Sequence, residues 1–220
     1  MKGIYEFLQE LSENNNREWF QANKPRYEAL RAQWLDELQR LLDGMAREVD
    51  PRVAYLQAKD CAYRIYRDIR FSADKTPYKT YFSALISPYG RKTDYAAYYI
   101  HVGLDERGLY GGLWNPDSTK LKKVRRAIVD NIDEFREILD NPDLRRLYPG
   151  WEGRSLKTIP KGYDRDHPDA DLLRLVDIGK FHAVDREFFE RDDWPENAVR
   201  LMAPLQPMLD FINYSIDEDI

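Results

Sequence analysis

Cysteine is nearly missing from this chain: Cys61 is the only one in 220 residues, which excludes an internal disulfide. Histidine is scarce too. His101, His167 and His182 are the only three, and no pair stands at HxH or HxxxH spacing, so the sequence marks no metal site and leaves any cofactor unknown. No apolar run comes near the roughly 20 residues that span a bilayer, and the opening MKGIYEFLQEL lacks the apolar core of a signal peptide. The expectation is no membrane association and a cytoplasmic location. A basic surplus is also lacking. With 34 Lys and Arg against 39 Asp and Glu, the net charge is −5, which argues against a dedicated duplex-DNA binder and disfavours nucleic acid as a partner. There is no Walker loop and no G-x-G-x-x-G, so a standard nucleotide fold is unsupported. Repeats, low-complexity tracts and linkers are absent, and a single α+β domain over 1–220 is the economical reading.

Aromatics are abundant. Five tryptophans and fifteen tyrosines exceed what a minimal core needs, so some should pack on Arg and Lys stems or line a cleft. Apolar residues at intervals of three and four predict helices at both ends of the chain. Ile4, Phe7, Leu8 and Leu11 form a first stripe, and Tyr27, Leu30, Trp34, Leu38, Leu41 and Met45 a long second one, with Asn23 as its N-cap and Asp50-Pro51 as its stop. Shorter helices are predicted after Asp117 or Ser118, around Ile132 to Leu139, after Asn141-Pro142 and from Asp169, and a closing helix from Asp193 with a break at Pro204. Between these, alternation predicts strands at Tyr63 to Asp68, Thr80 to Ser87, Ala97 to Leu104 and Leu109 to Trp114, and an edge strand at Phe181 to Phe188. Gly111-Gly112 in the fourth suggests a bulge or a close approach by another backbone or a ligand. The fold class is therefore α+β: a central antiparallel sheet of about four to six strands flanked by N-terminal and C-terminal helices.

Chemistry concentrates in residues 62–81, AYRIYRDIRFSADKTPYKTY. Arg64, Arg67, Arg70, Lys75 and Lys79 sit among Asp68, Asp74, the hydroxyls of Ser72, Thr76 and Thr80, and several aromatics. Two readings compete. Arginines and acids could pair with one another and hold the loop against the body, or guanidinium forks and a lysine could grip a phosphate or carboxylate, with Ser72 and loop N–H groups adding donors. Pro77 makes Phe71 to Lys79 a loop, the kind of irregular segment where functional groups collect. His101 stands beside Tyr99 on the face opposite its strand's apolar side, a candidate acid or base. Lys161 and Tyr163, in a Gly- and Pro-rich stretch, extend the basic and aromatic set. The nearby Asp164, Asp166 and His167 read better as turn formers than as metal ligands. Ser72-x-x-Lys75 fits a serine acyl-enzyme signature in spacing alone, since Thr76-Pro77 disfavours the helix it requires. Cys61 reads as a small buried hydrophobe.

Several motifs together resemble one family: Asn15-Asn16-Arg17-Glu18-Trp19-Phe20, Arg64-Ile65-Tyr66-Arg67-Asp68-Ile69-Arg70-Phe71-Ser72, Asp74-Lys75-Thr76-Pro77-Tyr78-Lys79-Thr80, Tyr98-Tyr99-Ile100-His101, and Pro160-Lys161-Gly162-Tyr163-Asp164 with His167-Pro168. They are similar to the bacterial and fungal family known as domain of unknown function 2461, over about Phe7 to Asn213. The resemblance implies a single α+β domain and an intracellular protein. It brings no substrate or catalytic residue with it.

The functional expectation is a basic, aromatic-lined cleft that binds an anionic small molecule, with Arg64, Arg67, Arg70, Ser72, Lys75, Lys79, Tyr99, Lys161 and Tyr163 as ligand-binding residues; whether it is also an enzyme acting on that molecule is left open, His101 or Asp68 being the proton carrier if it is. The alternative is a non-enzymatic module for single-stranded nucleic acid or a protein partner. Alternation splits Arg64 and Arg67 between two faces, so one of them should be structural and the segment from Arg70 to Lys79 should carry more of the binding.

Overall fold

In the computed structural model, which describes residues 1–218, helical spacing closes into helices towards both ends of the chain and alternation into strands in the middle. In chain order the first elements are α1 (Ile4–Glu13), α2 (Arg17–Ala22), α3 (Lys24–Glu48), a 3-10 turn (Pro51–Val53), α4 (Ala58–Cys61), β1 (Tyr81–Ile86), β2 (Ala97–Gly103) and β3 (Arg107–Leu113). Then come α5 (Ser118–Asp130), α6 (Ile132–Leu139), α7 (Pro142–Leu147), α8 (Ala170–Arg174), β4 (Ile178–Ala183), a 3-10 turn (Phe188–Glu190), α9 (Trp194–Met202), a third 3-10 turn (Ala203–Leu205) and α10 (Gln206–Asp217). The strands form one antiparallel sheet in the order β1-β2-β3-β4, so the fold is α+β, with helices at both ends. No helix among the described residues is long and apolar enough to cross a membrane.

Backbone contacts divide the described residues into two compact units: residues 1–91, 99–109 and 183–203 form one, and residues 92–98, 110–182 and 204–218 the other. In the first unit, α3 runs for 25 residues, about 37 Å at the helical rise. Every residue of its predicted stripe is buried. Trp34 from that stripe stacks on Trp194 of α9 with centroids 5.8 Å apart and planes 12° from parallel. The Trp194 indole N–H donates at 2.6 Å to Glu37, a buried acid that also accepts from the Gln33 amide and pairs with the Met1 ammonium. Asn16 caps α2, its side chain accepting from the Trp19 N–H at 2.9 Å. At Asn23 the helix starts without the expected side-chain cap: that amide donates to the Trp19 carbonyl instead.

The strand expected at Tyr63 to Asp68 does not form. Only isolated bridges remain, Ala62 with Ala84 and Tyr66 with Tyr78. The segment still hydrogen-bonds as if it were a ribbon, Tyr63 N–H to Ser83, Arg67 N–H to Pro77 and Lys79 N–H to Ile65. Pro77 supplies no N–H in return, and the ladder ends there. Burial nevertheless alternates as expected, with Ile65 buried and Arg64, Tyr66 and Asp68 exposed.

In the second unit, α10 packs on α5 and α6, and Phe135 meets Phe211 at 4.8 Å. Asn213 of α10 clamps the backbone of Ala96 from both sides, accepting from its N–H and donating to its carbonyl. Asp117 caps α5 and Asn141 caps α7 as their positions predict. The closing helix breaks at Pro204 into α9 and α10 through the third 3-10 turn. At Gly112, a Cβ would lie 2.2 Å from the Ile178 carbonyl oxygen: the double glycine marks the close approach of the β4 backbone. The edge strand itself lies earlier than expected, at Ile178–Ala183, because the chain turns into the second 3-10 turn after Asp185.

Candidate functional site

All the residues of the 62–81 segment belong to the first unit, and the structure sorts its cations into two groups. The first group is satisfied by neighbours. Arg70 forks onto Asp68 at 2.7 and 3.0 Å on the exposed surface. Arg67 pairs with Asp74 and bonds to the Thr76 hydroxyl, with Ser72 Oγ 3.5 Å from its other nitrogen. Lys75 donates to the Ile69 carbonyl at 3.0 Å. Arg70 holds Asp68 down to about 2, and the Thr76 N–H followed by Arg67 holds Asp74 there too. Asp68 is therefore ionised at neutral pH, with no proton to give. The loop from Arg67 to Thr76 is thus locked by its own side chains.

The second group is Arg64 and Lys79, joined by Arg91 from the loop after β1, and none of the three has a carboxylate within ion-pair distance among the described residues. Lys79 precedes β1 and is half-buried, its Nζ 5.2 Å from the Tyr63 ring centroid and 5.5 Å from that of Tyr81. The Arg91 guanidinium lies 5.3 Å from the same Tyr63 ring and donates to the Ala62 carbonyl. Burial, then the charges of Arg64 and Arg91, push the Lys79 ammonium below its ordinary value. Cation–π contacts offset part of that penalty but neutralise nothing.

Beside this group, β2 presents Tyr99 and His101 on one face, as alternation predicts. His101 stacks on Tyr81 with centroids 4.4 Å apart, and the Tyr99 hydroxyl lies 3.4 Å from its Nδ1. Tyr99 also meets Tyr63 edge-on at 6.3 Å. Burial lowers the imidazole's pKa, with Glu106 opposing and Lys79 reinforcing. Burial pushes the Tyr99 phenol up to about 12, against a hydrogen bond with Ser83. At neutral pH the histidine is unprotonated and the tyrosine keeps its proton. Gly103 makes room for the ring, because a Cβ there would lie 2.8 Å from His101 Nε2.

Tyr63, Tyr81 and Arg91 are the members that sequence reasoning missed. Tyr81 was within reach, since it alternates with Ser83 on the face of β1 opposite Phe82, Ala84 and Ile86. Arg91 stands in a polar loop with no local sign of its role. Lys161 and Tyr163 belong to the second unit, where Tyr163 neighbours Arg125. In that loop Asp166 N–H donates to Asp164 and Asp169 N–H to His167 Nδ1, the contacts of turn formers. Among the described residues, no three His, Cys, Asp or Glu side chains come together as metal ligands. A concavity of about 450 Å³ between α3 and α9 lies elsewhere in the first unit. Two of its three arginines are paired with acids, Arg40 with Glu196 and Arg47 with Glu48, and Asp43 adds a further negative charge to its lining, so it is less suited to an anion.

The family described as "Conserved hypothetical protein (DUF2461)" matches residues 3–211. The chain belongs to this family. No curated protein and no solved structure matches it. Membership agrees with the arginine-rich motif and carries no chemistry of its own, so the function of this DUF2461 chain has to be argued from its side chains.

Proposed function

We propose that the protein, working in the cytoplasm, binds a small phosphate- or carboxylate-bearing molecule at the cationic and aromatic face formed by Arg64, Lys79, Arg91, Tyr63, Tyr81 and His101. One observation carries the reading: Arg64 and Arg91 both add positive charge beside a half-buried Lys79, and among the described residues none of the three has a carboxylate within ion-pair distance, Asp68 acting on Arg64 only from further off. An oxyanion would relieve that repulsion, and guanidinium forks suit its geometry. A ligand held there would lie beside His101, which at neutral pH can accept a proton from it. The second reading, a stacking platform for single-stranded nucleic acid, is favoured by Phe71, 96% exposed with Arg70 5.9 Å from its ring. The net charge of −5 weighs against it.

Calorimetric titration with inorganic phosphate, pyrophosphate and acetate tests the proposal. Lys79→Met and Arg91→Met should each weaken oxyanion binding at least tenfold, the effect of losing a charged hydrogen bond. Arg70→Ala should leave it unchanged. Wild-type affinity in Lys79→Met would overturn the reading. A steep dependence of oligonucleotide binding on salt, lost in Phe71→Ala, would favour the second one.

A further inference from the structure

The Pro160-Lys161-Gly162-Tyr163 run stands out in the sequence and has no place in the first unit's chemistry. It lies in a loop of the second unit whose ends are tied together: Leu156 N–H donates to the Arg174 carbonyl at 2.8 Å, and Ser155 bridges Leu175. Arg125, from the middle of α5, reaches this neck and donates through Nη2 to the Leu175 carbonyl at 2.8 Å. Arg125 is only 7% exposed, its Nε has no partner, and among the described residues no carboxylate pairs with it. The nearest acid on its own helix, Asp130, is taken by Arg126 at 3.3 Å. Burying a guanidinium without a counter-charge is unfavourable, as it is when a buried ion pair loses one partner. One carbonyl does not offset it.

The phenol of Tyr163 lies within electrostatic reach of this guanidinium. Burial lowers the Arg125 pKa and raises that of Tyr163, while each group partly offsets the other's shift. Lys161, two residues earlier, is exposed and has no acidic partner among the described residues. Gly162 between them takes φ 102° with open space where a side chain would stand, so the turn stays uncovered.

We propose that the second unit carries its own oxyanion site, in which Arg125 and Tyr163 bind a carboxylate- or phosphate-bearing small molecule and Lys161 adds charge. This site is independent of the one around Lys79, because it is built on a different cation in a different unit.

Nitrogen-15 spectra of arginine Nε–H groups, recorded on the unaltered protein during titration with inorganic phosphate and, separately, acetate, read the site directly. The Arg125 signal, assigned by its loss in Arg125→Lys, should shift and saturate with at least one of the two anions, and the one that saturates names the ligand's anionic group. Lys161→Ala combined with Tyr163→Phe should weaken that saturation at least tenfold. An Arg125 signal unmoved by both anions, or an unchanged affinity in the double variant, overturns the proposal. Arg125→Met separates a ligand cation from a structural one. It should leave the denaturation midpoint in anion-free buffer unchanged or higher and abolish the rise caused by the anion. An equal loss of stability with and without anion would assign Arg125 to structure alone.

Discussion

Lys79 and His101 both lie against the ring of Tyr81, the ammonium 5.5 Å and the imidazole 4.4 Å from its centroid. The lysine's charge adds to burial in disfavouring the imidazolium. His101 therefore binds its proton more weakly in the folded protein than in the unfolded chain, where its pKa is about 6.5. Between the lowered folded value and 6.5, the unfolded state holds more protons, so stability rises with pH through that interval and is fully regained above it. Wild-type protein should lose stability on acidification from pH 7 to 5, and His101→Gln should lose less. Urea midpoints at the two pH values check this, and equal losses would refute it.

Asp177 acts in a lower window. Buried, it accepts from Arg154 Nε and Nη2 and from the N–H groups of Arg154 and Asn115, all at 2.8 Å, and Arg154 holds its pKa at about 2. Its stabilisation is complete above the unfolded value near 4 and is lost as the pH falls towards 2. Asp177→Ala should cost about 3 kcal/mol at pH 7, because it strands buried backbone donors. Denaturation at pH 7 measures it.

Gly103→Ala should displace His101 without unfolding the sheet. The new methyl would press on Nε2 at 2.8 Å and on the Glu106 carbonyl oxygen at 3.0 Å. A cost of about 1–3 kcal/mol is expected from such overpacking. The imidazole resonances should move, and His101→Gln in the same background should recover part of the loss.

Gly112→Ala should be more severe than Gly103→Ala, since its Cβ meets backbone at 2.2 Å and φ is 151°. Backbone atoms of Ile178 and Gly179 cannot rotate away as a ring can. Amide exchange should show loss of protection in β4 before the rest of the sheet.

The helices were legible because their signals are local. The three-and-four spacing from Tyr27 to Met45, Asp117 and Asn141 before their helices, and Pro204 within the last one each act over a single turn. The strand at Tyr63 to Asp68 was misread because alternation survives in burial even where Pro77 interrupts the hydrogen-bond ladder. The site was only half legible for a related reason. Composition put many cations in one segment, but which of them stay unpaired depends on where Asp68, Asp74 and Arg91 come to rest. Arg67 and Arg70, prominent in sequence, take their charge balance from neighbours within seven residues, whereas Arg91 reaches Lys79 through the fold. Arg70→Ala should accordingly loosen the loop tip, seen as faster proteolysis between Asp68 and Lys75, while the melting temperature stays put.

Cys61, the chain's single thiol, is buried, and that burial pushes its pKa up to about 11. A thiol that is both hidden and protonated reacts only when the structure around it opens. Pulsed alkylation of the unaltered protein would then count openings of the first unit one molecule at a time, with no label to introduce and no competing cysteine. Bound oxyanion at the Lys79 face should slow that clock in proportion to its occupancy.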